Sequence, residues 1–220
     1  MGERMTSEQN GGRKRGRPRE GEAPDPQMIE RIAFRSFAIA GYEATSLRDV
    51  ALTSNVDPAL ISRRYGSKMG LWRATVDSVA ARLDEIYRVM HEEMEGGGAF
   101  VDRFRAALRH FVVFNCTMPE LTCFFINELR RPGERMDYVS SKIWQPYLMV
   151  MQTLFSEASE KGASRLPDPL MAPVSFLGLA VMPQLVAPAL NHVSWPEGPS
   201  PADRIMTSID AILVRAEGHA

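Results

Sequence analysis

Cysteine is scarce in these 220 residues. The two present, Cys116 and Cys123, are too few for a disulfide framework. Seven residues apart on one helix, they would stand roughly 10 Å from each other, beyond bridging reach. A reducing, cytoplasmic setting is the expectation. Net charge is lacking as well, since 26 Lys and Arg face 27 Asp and Glu, so the total points to no class of partner. No stretch of useful length alternates with a two-residue period, and without strands no Gly-rich phosphate loop has a strand to follow. The four histidines, His91, His110, His192 and His219, are scattered, with no HExxH and no His/Cys cluster at metal-ligand spacing. "FNC" at Phe114 to Cys116 gives a cysteine nucleophile little support. No catalytic residue, cofactor or metal is expected. The start, "MGERMTSEQNGG", is polar throughout and is not a secretory leader. The most apolar stretch, Pro169 to Leu190, contains Pro169, Pro173, Pro183, Pro188 and Gln184 and lacks basic flanks. It reads as a buried core or interface helix, not as a membrane span.

What is present is an uneven distribution of charge. Residues 1–80 hold 13 Lys/Arg against 10 Asp/Glu, while residues 81–220 hold 13 against 17. "RKRGRPR", Arg13 to Arg19, concentrates the positive end on a Gly- and Pro-containing segment without apolar periodicity, so residues 1–24 read as a disordered basic arm. Helical signals follow. Asp25 caps, Pro26 takes the first helical position, Ile29, Ile32, Ala33, Phe37 and Ala40 form one stripe, and Gly41 ends it. A short second helix begins at Thr45 or Ser46, with Asp49 completing a capping box, and Asn55 makes the tight turn that ends it. A third runs from Asp57 as cap and Pro58 to Gly66. A fourth starts at Ser67 and extends through Leu71, Val79, Leu83, Ile86 and Met90. Beyond the Gly96–Gly98 break, helices are expected at about 99–115, 119–130, 134–160 with a kink at Pro146, 168–192 and 200–217. The fold class is all-α, with a helix-turn-helix unit at 25–84 and a larger helical domain at 85–220.

Two short helices joined by a tight turn, with a third across them, suit reading of the major groove, which is just wide enough to admit a helix. In "DPALISRRY", Leu60 or Ile61 with Tyr65 lie inward, leaving Pro58, Ala59, Ser62 and Arg63 outward. Arg63 and Arg64 suit guanine edges or phosphates, Ser62 suits either, and Pro58 or Ala59 suits a thymine methyl. Thr45 and Ser46 sit where free backbone amides favour a phosphate, and Arg48, Tyr65 and Lys68 complete the candidate DNA contacts. Two packed helices without such a role would show the same periodicity.

The run Arg31 to Trp72, "RIAFRSFAIAGYEATSLRDVALTSNVDPALISRRYGSKMGLW", resembles the N-terminal domain of the tetracycline-repressor (TetR) family of bacterial transcription regulators. The resemblance is carried by Phe37, Gly41, Tyr42, Thr45, Ser46, Asp49 to Ala51, Val56 and Tyr65 to Leu71. It implies a homodimer, a near-palindromic double-stranded DNA operator read by paired recognition helices, and a C-terminal ligand-binding and dimerisation domain. The family commonly places aromatics and a His where this chain has Ser62, Arg63 and Arg64, and a Glu where it has Met69. Contacts carried over to those positions rest on the two arginines instead.

"RGRP", Arg15 to Pro18, is similar to the core of an AT-hook, in which glycine admits the backbone to a narrow A·T-rich minor groove and proline keeps it extended. Arg15, Arg17 and Arg19 are therefore candidate minor-groove contacts. The alternative is a solvated tail supplying only phosphate attraction. From Phe100 onwards come seven methionines, with Met90 and Met94 just upstream, together with several aromatics. They suit an adaptable apolar pocket and an ordinary core equally. Pocket candidates are Phe111, Phe114, Phe125, Trp144, Tyr147, Met151, Phe176 and Gln184, with His110 and Asn115 as polar contacts. Ala180, Leu177, Val181, Ile205, Ile209 and Ile212 fit the resemblance's dimer-forming last two helices. Together these imply a ligand-responsive DNA-binding regulator, a repressor, with a small apolar effector. The alternative is a helical small-molecule-binding protein or enzyme on the same fold without operator binding.

Overall fold

The computed structural model describes residues 25–166, 168, 170–190 and 198–214. The basic arm, and with it Arg15, Arg17 and Arg19, lies outside the described residues.

The first four helices are delimited by their own side chains. Helix α1 spans Pro26–Ala44, and Asp25 accepts from the Gln27 N–H at 2.9 Å. Gly41 breaks its path with φ 79° and ψ 167°, a conformation that strains any residue with a Cβ. Helix α2 spans Leu47–Thr53. Ser46 Oγ accepts from the Asp49 N–H at 3.1 Å and donates to the Asp49 carboxylate at 2.6 Å. Asn55, with φ 53°, makes the turn to α3, Pro58–Tyr65, which Asp57 caps at the Ala59 N–H, 2.7 Å away. Helix α4, Lys68–Glu95, is capped by Ser67. A Cβ on Gly70 would fall 2.0 Å from the Tyr65 carbonyl oxygen, so glycine is what lets α4 seat on the end of α3.

The remaining elements are α5 (Phe100–Thr117), α6 (Glu120–Leu129), α7 (Glu134–Val139), a π-helical turn (Ser140–Trp144), α8 (Gln145–Glu160), α9 (Met171–Leu190) and α10 (Pro201–Ile212). The helix expected over 134–160 is thus continuous but unevenly wound. Pro146 lacks an N–H and its ring crowds the carbonyl four residues back, and the wider turn just before it relieves both. The last helix ends earlier than the expected 217. Its continuation is diverted because the Leu213 carbonyl accepts from the Arg165 N–H at 2.9 Å and Val214 pairs with Ser164.

One core runs from α1 to α10. Its bridge is Trp72 near the start of α4, fully buried, with its ring against Tyr42 (6.4 Å between centroids), Phe124 (6.3 Å) and Tyr138 (5.8 Å). Helix α4 passes unbroken through the expected boundary at 84/85. No helix among the described residues is long and apolar enough to cross a membrane.

Candidate nucleic-acid interface and ligand cavity

On α3, Ile61 is buried in the core, while Pro58, Ala59, Ser62, Arg63 and Arg64 are exposed and Leu60 and Tyr65 are half-buried. Capping at one end and Ile61 beneath leave the outer face to solvent. Arg63 and the exposed Arg48 meet no carboxylate among the described residues. Tyr65 faces the other way: its hydroxyl donates to Glu30 at 3.4 Å, and burial, then Glu30, pushes its pKa up to about 12. Thr45 is only 5 % exposed, and its hydroxyl donates to the Gly41 carbonyl at 2.9 Å, which pins the α1–α2 elbow. Ser46 is half-buried and occupied by Asp49. Lys68 Nζ donates to the Glu43 carbonyl at 3.0 Å and lies 4.5 Å from the Tyr42 ring centroid.

Tyr42 is also where the two halves meet. The Arg135 guanidinium, at the start of α7, stands 4.1 Å from its ring centroid, beside Lys68 on the same ring. Arg135 Nε donates to Glu128 at 2.9 Å, and its Nη1 lies 3.6 Å from Glu43. Glu128 is 3 % exposed, so Arg135 is what makes burial of that carboxylate tolerable. One residue earlier, Asn127 donates to the Ala38 carbonyl of α1 at 3.1 Å. The end of α6 thereby holds the end of α1. Nothing local in the sequence announces this group, because its members are brought together from α1, α4, α6 and α7.

The opposite face of α6 walls a cavity of about 250 Å³ between α4, α5, α6, the π turn, α8 and α9. Of the sequence candidates, Phe111, Asn115, Phe125, Trp144 and Tyr147 line it. The other five stand elsewhere. Met151 and Phe176 are fully buried in the core, Phe176 packing on Phe111 and Phe155. Phe114 is buried under Arg82, 5.4 Å away. His110 is half-exposed, 3.5 Å from Glu93. Gln184 donates to Cys116 Sγ at 3.1 Å. Wall residues that sequence reasoning did not name as pocket candidates include Tyr87, Thr122 and Gly178, with Leu83 read there as helix stripe and Leu177 as dimer face. Tyr87 continues the α4 stripe four residues after Leu83, a spacing that marks it as inward-facing.

The residues named for a dimer face divide differently. Ala180, Ile205 and Ile209 are buried inside the protomer, and Leu177 and Val181 line the cavity, because α9 and α10 pack on α5. Among the described residues, the large apolar side chains left exposed on these helices are Met171, Val174, Met182, Val186 and Ile212, of which Val174 and Met182 also line the cavity.

A helix-turn-helix unit with an exposed cationic face is thus joined through a shared core to a helical body with an apolar cavity. Residues 31–75 match the family described as bacterial regulatory proteins, tetR family. No curated protein matches it. Solved structures share its fold along most of its length. A Clostridium perfringens protein assigned to fatty acid metabolism regulation is 15% identical with a TM-score of 0.69, over 84% of this chain and 96% of that one. AibR, solved with isovaleryl coenzyme A and operator DNA, is 21% identical with a TM-score of 0.62, over 84% and 97%. A TetR/AcrR-family regulator of Thermobifida fusca is 26% identical with a TM-score of 0.53, over 83% and 92%.

Proposed function

We propose that the protein is a cytoplasmic, ligand-responsive transcriptional repressor that binds a near-palindromic operator as a homodimer and has no catalytic role. The observation that carries the reading is α3, whose buried Ile61 fixes the helix while Ser62, Arg63 and Arg64 stand exposed, with Arg63 unpaired. Arg48, Pro58, Ala59, Ser62, Arg63 and Arg64 supply the DNA-facing surface, with Lys68 at its edge, and Arg15, Arg17 and Arg19 of the arm reach the adjoining minor groove. The exposed apolar side chains of α9 and α10 form the dimer contact. The residues from about 85 onwards bind the effector. AibR's complex with both an acyl thioester and operator DNA supports a fold able to couple two such sites.

In mechanism, an occupant of the cavity presses on one face of α6, and the other face holds α1 through Asn127, Glu128 and Arg135. Occupation thus favours an α1 placement that spaces the two recognition helices of the dimer wrongly for the half-sites. DNA affinity falls by the ratio of ligand affinities in the two states.

The test is fluorescence anisotropy with duplexes from upstream of the protein's own gene against a scrambled duplex, at two salt concentrations. Selective binding that survives the higher salt is expected. An Arg63→Ala, Arg64→Ala double variant should bind roughly ten- to a hundredfold more weakly, because a good base contact is worth about 1–3 kcal/mol. A chain lacking residues 1–22 should lose affinity mainly at A·T-flanked sites. Equal, weak, salt-erased binding to every duplex would defeat the regulator reading and favour a small-molecule-binding protein or enzyme on this fold.

A further inference from the structure

The end of α6 runs into Arg130, Arg131, Pro132, Gly133, Glu134 and Arg135, three guanidiniums against one carboxylate. Glu134 is taken up by Arg73 of α4, and Arg135 by Glu128 and Glu43. Arg130 and Arg131 are exposed and meet no carboxylate among the described residues. What sets these two apart from ordinary solvated arginines is where the fold fixes them. Arg130 is the residue on which α6 ends, and the Arg131 N–H donates to the Glu128 carbonyl at 3.1 Å, so the backbone beneath both belongs to the lock on α1. Arg131 lines a notch of about 130 Å³ together with Ile39, Ala40, Gly41 and Tyr42, close to the end of α1. The body thereby brings free cations beside the elbow that leads into α2.

That elbow already carries positive charge. Lys68 and Arg135 share the Tyr42 ring, 4.5 and 4.1 Å from its centroid. Three cations, Lys68, Arg131 and Arg135, thus gather at Tyr42 against two carboxylates, Glu43 and Glu128, and Arg130 adds a further positive charge. Like charges crowded in this way repel, and an anion laid against them relieves the repulsion. A DNA backbone offers such anions in a row, about one for every 1.7 Å of duplex axis, and a duplex seated on α3 continues past both ends of that helix. The patch is also continuous with the face proposed for DNA, since Lys68 at the edge of that face stands on the same ring as Arg135.

We infer that Arg130 and Arg131 grip the phosphate backbone of a DNA duplex seated on α3, so that the body as well as the N-terminal unit holds the nucleic acid. This rests on the proposed DNA-binding reading and deepens it by assigning contacts outside the helix-turn-helix unit. Phosphates carry no sequence information, so the two arginines add affinity evenly on every duplex, whereas contacts from α3 to base edges discriminate between duplexes.

Fluorescence anisotropy of the full chain over a salt series, on the duplex from upstream of its own gene and on the scrambled duplex, reads these contacts directly. Each phosphate contact steepens the fall of log affinity with log salt by about 0.9. Arg130→Ala combined with Arg131→Ala should make the slope shallower by about 2 on both duplexes, and its loss of affinity should be about tenfold larger at 50 mM than at 200 mM salt. The ratio of affinities between the duplexes should not move. Arg130→Lys combined with Arg131→Lys keeps both charges and should keep the wild-type slope. The inference is overturned if the alanine variant retains the wild-type slope, if its loss differs between the two duplexes, or if the lysine variant loses as much as the alanine one. The reading beneath it fails separately. Equal binding of the wild type to both duplexes defeats the operator, while the slope on the scrambled duplex still reports the two arginines. A wild-type chain that binds neither duplex defeats both.

Discussion

The helices of the N-terminal unit and the first helices of the body begin in different ways. Each of α1 to α4 opens on a side-chain cap, from Asp25, Ser46, Asp57 and Ser67 in turn. In the body, α5, α6 and α7 start at Ala99, Pro119 and Gly133 without a capping hydrogen bond and α8 continues the π turn, whereas Asp168 accepts from the N–H groups at the start of α9 and Ser200 caps α10. A small three-helix unit buries little surface, and caps worth about 1 kcal/mol each hold its short elements in register. That rigidity suits a surface that must match a groove. The body relies on packing between long helices, which tolerates an interior gap. The first region carries an exposed cationic face, and the second encloses a cavity.

If the regions were separate in energy as they are in design, removing the ring between them would loosen one and spare the other. Trp72→Ala is instead expected to destabilise the whole chain by about 4 kcal/mol, within the range for a buried aromatic truncated to alanine, in a single transition. Urea unfolding followed by helix signal and by tryptophan fluorescence checks it. Two non-coincident transitions would mean that the regions fold apart.

The junction at Tyr42 sharpens the same contrast. Arg135→Ala strands the buried Glu128 carboxylate and should cost about 3 kcal/mol, while adding Glu128→Leu should recover most of the loss, since a buried pair is replaceable by apolar groups but not by half of itself. The recovered double variant should bind DNA and ligand yet show little effect of one on the other. Undiminished coupling in it would mean that the two regions communicate by another route.

The smallest effect tests the caps directly. Ser67→Ala should lower stability by about 1 kcal/mol, and Ala99→Ser, which supplies a hydroxyl where α5 has none, should raise it by a few tenths. Equal and negligible changes at both would show that the caps do not distinguish the regions.

This division also explains what could be read before any coordinates. The bounds of α1 to α4 were legible because each is written locally, in Asp25 with Pro26, Gly41, Asn55, Asp57 with Pro58, and Gly66. The outward face of α3 followed from periodicity alone. In the body, aromatic and methionine chemistry does not separate wall from core: Phe111 and Phe125 line the cavity, whereas Phe114, Met151 and Phe176 pack behind it. Which side a ring takes depends on helices far away in the chain. Gly178 gives no chemical signal at all, and the Glu128–Arg135–Tyr42 group exists only once three helices have met. The early end of α10 is likewise a tertiary effect, because residues 164 and 165 claim its backbone.

The π turn has a consequence for how the helix through α7 and α8 keeps time. Val139, Ile143, Tyr147, Met151 and Phe155 are all buried, at uniform steps of four residues. On a regular α-helix each such step overshoots a full turn by about 40°, so five residues would wind across about 160° and leave the core. The surplus residue in the π turn sets the sequence back by about 100°, acting as a phase correction in the middle of the rod. It aligns the cavity wall downstream with the Arg135 and Tyr138 contacts upstream. Two ends of one helix are thus keyed to different partners by a single residue, and losing that residue would rotate one set of contacts out of phase with the other while leaving every hydrogen-bonded turn intact.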